Sequence, residues 1–272
     1  MRAPHLADPL GGIVTGGQGK PRIHGRAPPN PLIVTCVTAG DNTVYAAVVE
    51  FWPRTEEEAL ATQDALRARV VSAPGPADPA TVAGLDVAYD DSGDRLSAAV
   101  VVLDAADLTV RDLVTINGRP AFRYVPGLFA FREVPALMAA LAKLTVRPDV
   151  LVCDGHGLAH PRRFGLAAHL GVLTDLPSFG VGKTRLVGEW EPVGEERGSR
   201  SALIDEGETV GAVLRTRTGV KPVFVSVGHR IALDNACALT LRLAPRHRLP
   251  ETTRAADRAC RDLLSRPARS CG

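Results

Sequence analysis

The sequence predicts an α/β fold in which one mixed sheet, an antiparallel meander continued by parallel strands, is flanked by helices. Three observations predict it. Strand-like runs follow one another closely at 82–89, 96–103 and 108–116, joined by short links rich in Asp, Ser and Gly, which is the spacing of a meander. From residue 131 onward helical and strand patterns alternate, the habit of parallel strands joined by crossover helices. Hydrophobic residues make up 45% of the 272 positions and aromatics only 4%, so a chain of this length builds a sizeable core chiefly from Val, Leu and Ala.

Taken in order, residues 1–51 mix Gly, Pro and short apolar runs without a sustained period, and read as an N-terminal extension, either flexible or carrying a weak strand pair around 44–51. A domain follows at 52–267, with a tail at 268–272. Its first helix is expected over 55–71, where Ala59, Leu60, Leu66 and Val70 are separated by charges and Thr55 with Glu58 forms a Thr-x-x-Glu cap. After the meander come a helix at 131–144, an all-apolar strand at 150–153 and a helix at 162–173 opening behind Pro161. Strands are expected at 178–181, 210–215 and 223–227, and helices at 233–243 and 252–264. This order matches the ribonuclease H-like arrangement.

Lys and Arg total 32 against 30 Asp and Glu, a formal net charge of +2, so any nucleic-acid surface has to be local. The five cysteines are scattered and form no CxxC or finger-like spacing, which suits a reduced, cytoplasmic compartment. No stretch is apolar for long enough to span a bilayer, and the N-terminus lacks the order of a signal peptide. A soluble monomer with no membrane partner is expected.

Carboxylates stand where apolar residues belong. Asp86 interrupts Val82-Ala83-Gly84-Leu85-Asp86-Val87-Ala88-Tyr89, a run whose neighbours demand burial, and a carboxylate there is costly without a cation or donor. Asp154 ends the apolar strand Val150-Leu151-Val152-Cys153, at the kind of strand terminus where α/β sheets hold ligands. Glu133 sits near the start of a helix facing the same end. Three convergent carboxylates would suit a hard cation, Mg²⁺ or Mn²⁺; taken one at a time, each could equally accept ordinary hydrogen bonds or lie on a solvated face.

The segment Asp154-Gly155-His156-Gly157-Leu158-Ala159-His160-Pro161-Arg162-Arg163 reads as a phosphate-handling loop, with Arg162 and Arg163 at a helix N-terminus. The competing chemistry is zinc, through His156 and His160 with Asp154 or His169, although Gly155, Gly157 and Pro161 oppose the helix that usually presents such a pair. Gly180-Val181-Gly182-Lys183-Thr184 looks like the end of a P-loop but fails on spacing, because Pro177 holds the position of the first glycine. Lys183 is better read as a lone cation after a strand.

Together these segments carry a resemblance. Gly84 to Tyr89, Tyr124-Val125-Pro126-Gly127-Leu128 with Phe131-Arg132-Glu133, the Asp154 to Arg163 segment, Gly180 to Lys183, and Lys221 to Arg230 resemble the endonuclease V family in the same order, over roughly 52–267. The resemblance implies a ribonuclease H-like fold and metal-dependent hydrolysis of the second phosphodiester bond 3′ of inosine, in DNA or RNA. It implies that Asp86 and Asp154 bind Mg²⁺, that Glu133 supports metal or water, that Lys183 is the cation beside the phosphate, and that His229 positions the reacting groups. Tyr124, with Val125 and Pro126, resembles the family's wedge, and Gly127 with Gly155, His156 and Gly157 would shape the base pocket. Arg123 departs from the family, which often has Pro there, and Asp234 is a candidate outlying acid. The alternatives are a catalytically silent nucleic-acid binder on the same fold and a zinc-dependent hydrolase.

Overall fold

The computed structural model describes residues 52–265; the strand pair expected at 44–51 lies outside them. The first helix, α1 (Glu56–Arg67), is closed by the expected cap: Thr55 Oγ1 accepts from the Glu58 amide at 3.2 Å, and the Glu58 carboxylate accepts from the Thr55 amide at 3.3 Å. It ends four residues short of the expected Val71. That residue is extended instead, its N–H bonded to His229 Nδ1 and its carbonyl to the Arg230 amide.

The meander is β1 (Thr81–Tyr89), β2 (Leu96–Asp104) and β3 (Val110–Gly118), and the helix after it is α2 (Ala130–Leu141). β3 starts two residues late because Leu108 takes a left-handed conformation, φ 62°, in a turn held by the Asp104 and Asp107 carboxylates. Next come β4 (Val150–Cys153), α3 (Leu166–Thr174), β5 (Ser178–Gly182), β6 (Arg200–Asp205), β7 (Glu208–Leu214), β8 (Val223–His229), α4 (Leu233–Leu243) and α5 (Glu251–Leu264). Sequence reading passes over β6. Only its Leu203 is buried, so it has no apolar alternation, and a Glu206-Gly207 turn with both residues at positive φ ties it to β7.

All the strands form one 8-stranded sheet in the order β3-β2-β1-β4-β5-β8-β7-β6. The joins β1–β4 and β4–β5 are parallel and the rest antiparallel. Meander, then two parallel strands, is the ribonuclease H-like core, and β8, β7 and β6 extend it. Because side chains alternate along a strand, β1 feeds two cores. Ala83 and Leu85 pack with Leu137, Met138 and Leu170 of α2 and α3, while Val82 packs on the other face with Leu243 and Cys260 of α4 and α5. α5 presses so close to β1 that a Cβ on Gly84 would lie 2.0 Å from the Thr252 carbonyl oxygen, which is why that strand position is glycine. Among the described residues no helix is long and apolar enough to cross a membrane.

Candidate functional site

The site follows from the register of two strands. In the parallel pair β1–β4 Leu85 is opposite Cys153, and the Asp154 amide donates to the Leu85 carbonyl at 3.1 Å. Asp86 and Asp154 are therefore the next residues along on neighbouring strands, with side chains on the same face. Both line a cleft of about 1070 Å³ at this end of the sheet, together with Glu133, Lys183, Tyr124 and His156. Glu133, in the first turn of α2, arrives from the opposite helical layer and is only 5% exposed, so it is no solvated surface acid.

Charge in the cleft is unevenly compensated. Arg95 pairs with Asp90, Arg261 with Asp257, and Lys183 Nζ reaches Asp154 Oδ2 at 2.5 Å. Asp86 and Glu133 have no ion pair among the described residues. The Val87 amide donates to Asp86 Oδ1 at 2.9 Å, and the Tyr89 hydroxyl donates to Glu133 Oε1 at 3.3 Å, but neither supplies a full charge. Burial, followed by repulsion from Asp154, pushes the Asp86 carboxyl up to about 7. Burial, followed by repulsion from Asp86, pushes Glu133 to about 8. Acids held this way are short of positive charge.

A hard divalent cation fits that deficit. Among the described residues no three His, Cys, Asp or Glu groups are gathered tightly enough to hold an ion by themselves. Mg²⁺ does not require such a cage, since it usually keeps several waters and takes one or two carboxylates with a substrate phosphate. Asp86 and Asp154 are the two carboxylates that could serve as that pair, with Glu133 close enough to feel both. Zinc fits poorly. His169 is fully buried between Trp52, Phe131 and Phe164, the His156 Nε2–H donates to the Thr184 carbonyl at 3.0 Å, and His160 Nδ1 accepts from the Arg162 amide at 3.1 Å.

Above the acids the loop before α2 stands at the cleft mouth. Tyr124 is 65% exposed and meets Phe129 edge-on, with centroids 6.1 Å apart, so its ring is presented to solvent rather than packed in a core. Pro126 and Gly127 line the cleft with it, and Gly127 takes φ 80°, a left-handed value that suits glycine. Val125 turns the other way and packs on Phe122 and Leu128. Gly155, His156 and His160 form the facing wall, and the His156 ring fits there because a Cβ on Gly182 would come within 2.5 Å of it. His156 Nδ1 is buried and without a partner, an acceptor left open beside the cleft.

Several expected residues stand elsewhere. His229 pairs with Ser178, the first residue of β5, whereas Lys183 follows the last, about 16 Å of strand away at ~3.3 Å per residue. Its Nδ1 accepts from the Val71 amide at 3.1 Å and its Nε2–H donates to Asp175 at 3.2 Å, so it braces the opposite end of the strands, away from the cleft. Arg162 and Arg163 do not open a helix: α3 starts at Leu166 because Arg163 is left-handed, φ 53°, and the loop folds back so that the Gly165 amide donates to the Gly157 carbonyl. Arg162 pairs with Asp64 at 2.6 Å and Arg163 with Asp205 at 2.7 Å, so both staple the loop to its neighbours. Gly157 packs against β8, where a Cβ would lie 2.0 Å from the Val227 carbonyl oxygen, and does not line the cleft. Asp234 is an exposed partner of Arg200. Sequence reading missed Asp257, which α5 brings to the cleft and whose charge acts on both Asp86 and Lys183.

Comparison with known proteins adds to this geometry. The family model described as Endonuclease V matches residues 64–258. A curated protein named Endonuclease V from Streptomyces avermitilis is 57% identical over 216 residues, which covers 78% of this chain and 94% of that one. The crystal structure of an Endonuclease V from the same organism superposes with a TM-score of 0.76 at 56% identity, covering 79% of this chain and 95% of the other. Endonuclease V of Ciona intestinalis, solved in complex with a 24mer DNA containing an inosine followed by a ribo-adenosine, superposes with a TM-score of 0.68 at 25% identity, covering 76% of this chain and 97% of the other.

Proposed function

The chain belongs to the endonuclease V family, and from that premise we propose that it is a DNA-repair endonuclease that hydrolyses the second phosphodiester bond 3′ of inosine, with Mg²⁺ as cofactor and Mn²⁺ able to replace it. The observation that carries this reading is the pair Asp86 and Asp154, side by side on neighbouring parallel strands, Asp86 within β1 and Asp154 just past the end of β4, facing a cleft whose mouth bears an exposed tyrosine. Residues 52–267 form the endonuclease V-like catalytic domain.

Asp86 and Asp154, with Glu133 nearby, would hold the cation, which would supply positive charge for the phosphate and make a neighbouring water more acidic. The chain's own groups do the remaining work. Tyr124 fills the stack vacated when the damaged base turns out, and Gly127, Gly155 and His156 give a close-fitting pocket that tests the base by its edge. Lys183, anchored by Asp154, places an ammonium beside the phosphate oxygens, where negative charge grows. Tyr89 holds one oxygen of Glu133 and leaves the other free to exchange a proton with water. Water oxygen bonds to phosphorus, the bond to the 3′ oxygen breaks and that oxygen gains a proton, which leaves a 5′-phosphate on the downstream fragment.

The test uses end-labelled oligonucleotides of matched sequence containing inosine, uracil or no lesion, as DNA and as RNA, with Mg²⁺, Zn²⁺ or EDTA. A single nick one nucleotide beyond inosine with Mg²⁺, and none in EDTA, is expected. Binding without scission would make the protein a silent binder, and scission with Zn²⁺ alone would make it a zinc hydrolase.

A further inference from the structure

Behind the Tyr124 segment lies a second pocket, of about 450 Å³, faced by Arg54, Arg119, Arg123 and Arg132 against a single carboxylate, Asp94. Its positive charge is little compensated. Arg123 pairs with Glu56 at 2.8 Å, which uses one of its five N–H donors. Arg132 donates from Nη1 to the Phe122 carbonyl and lies over the Tyr89 ring, where part of its charge is felt by Glu133, while its Nε is buried with no partner. The Arg54 and Arg119 side chains are exposed and form no ion pair among the described residues. Guanidinium groups crowded this way repel one another unless an anion lies between them, and their planar forks match a phosphate.

The pocket shares its walls with the catalytic cleft. The β1–β2 turn turns Asp90, Asp91 and Arg95 to the cleft and Gly93 and Asp94 to the pocket. α2 presents Glu133 to the cleft and Arg132 to the pocket, and the segment carrying Arg119 and Arg123 runs directly into Tyr124. Arg123 immediately precedes Tyr124, so the pocket adjoins the side of the cleft that Tyr124 marks.

We propose that this pocket is a phosphate site that grips the nucleic-acid backbone beyond the base displaced by Tyr124, an assignment that rests on the nuclease reading. It lengthens the recognised strand past the lesion and holds it while the base is out of the stack.

The test measures binding of the full-length protein to fluorescent single strands by anisotropy across a salt series, in EDTA so that no cleavage occurs. The variants are Arg54→Ala/Arg119→Ala and, as a charge-matched control, Arg217→Ala/Lys221→Ala on the β7–β8 connection. Loss of one gripped phosphate reduces the slope of log affinity against log salt by about 0.7, and the pocket variant should show this and bind several-fold more weakly while the control stays near wild type. A strand trimmed on the Tyr124 side should bind both variants alike. Equal slopes for the two variants on the long strand would overturn the proposal, as would a pocket-dependent response to inorganic phosphate or a free nucleotide with no change for the long strand. Failure of the wild type to nick inosine strands with Mg²⁺ would sink the nuclease reading instead, and leaves the slope comparison standing as a separate result.

Discussion

Lys183 Nζ lies 2.5 Å from Asp154 Oδ2, so the one lysine of the cleft occupies the acid that the metal reading also needs. Burial works against the ammonium, yet the Asp154 carboxylate holds its pKa above the ordinary lysine range. On the proposed reading, lysine and metal would compete for Asp154 until a phosphate took the lysine. Lys183→Met should tighten or preserve Mg²⁺ affinity, read by calorimetry, while single-turnover cleavage falls by about 10²–10³-fold, the usual loss for one preorganised electrostatic group. Weaker Mg²⁺ binding would show that the lysine supports the metal rather than the phosphate.

Stability should depend on pH through the two uncompensated acids. Their folded pKa values are raised, so the stability they contribute is complete below the unfolded carboxylate range and is lost as pH climbs through about 7 for Asp86 and about 8 for Glu133. The buried histidines, depressed by desolvation, act oppositely, but only below their ordinary value of 6.5. In EDTA the melting temperature should therefore fall from about pH 6.5 to 8, Glu133→Gln should flatten the slope, and Mg²⁺ should recover the loss. A flat profile for the wild-type protein contradicts the pairing of these acids.

Tyr124 is exposed and, among the described residues, meets the single ring of Phe129, so Tyr124→Ala should change stability by no more than about 0.5 kcal/mol. Cleavage beside inosine should nevertheless drop, and drop more in duplex than in single strands, because only the duplex has a stack to refill. Equal losses on both substrates would remove the wedge role.

His229→Ala separates structure from chemistry. It leaves the Val71 amide without its acceptor and Asp175 without one donor, so denaturant midpoints should show a loss of about 1–3 kcal/mol. Single-turnover cleavage well below the melting temperature should stay near wild type. A hundredfold loss there would return His229 to the chemistry.

Asp86 and Asp154 were legible in sequence because each breaks or ends an apolar run, where a carboxylate is too costly to be incidental. Their convergence was an expectation, and the parallel register of β1 on β4 is what sets them side by side. His229, singled out by the resemblance, also ends an apolar strand, but β8 runs antiparallel to β5, so it lies at the opposite end of the strands from Lys183. Asp257 gives no local signal, since it shares a charged helix face with Arg254, Arg258 and Arg261, and only docking of α5 on β1 brings it to the cleft. Arg162 and Arg163 looked free because their partners, Asp64 and Asp205, are remote in sequence.

The most direct measurement is Mg²⁺ titration of Asp86→Asn and Asp154→Asn, each shown folded by its melting curve, with nicking of an inosine-containing strand followed in the same samples. Weakened Mg²⁺ binding together with at least a thousandfold loss of nicking, about 4 kcal/mol of transition-state stabilisation, is the predicted result for both. Wild-type Mg²⁺ affinity and turnover in either variant would contradict the claim that these two carboxylates on neighbouring strands hold the metal.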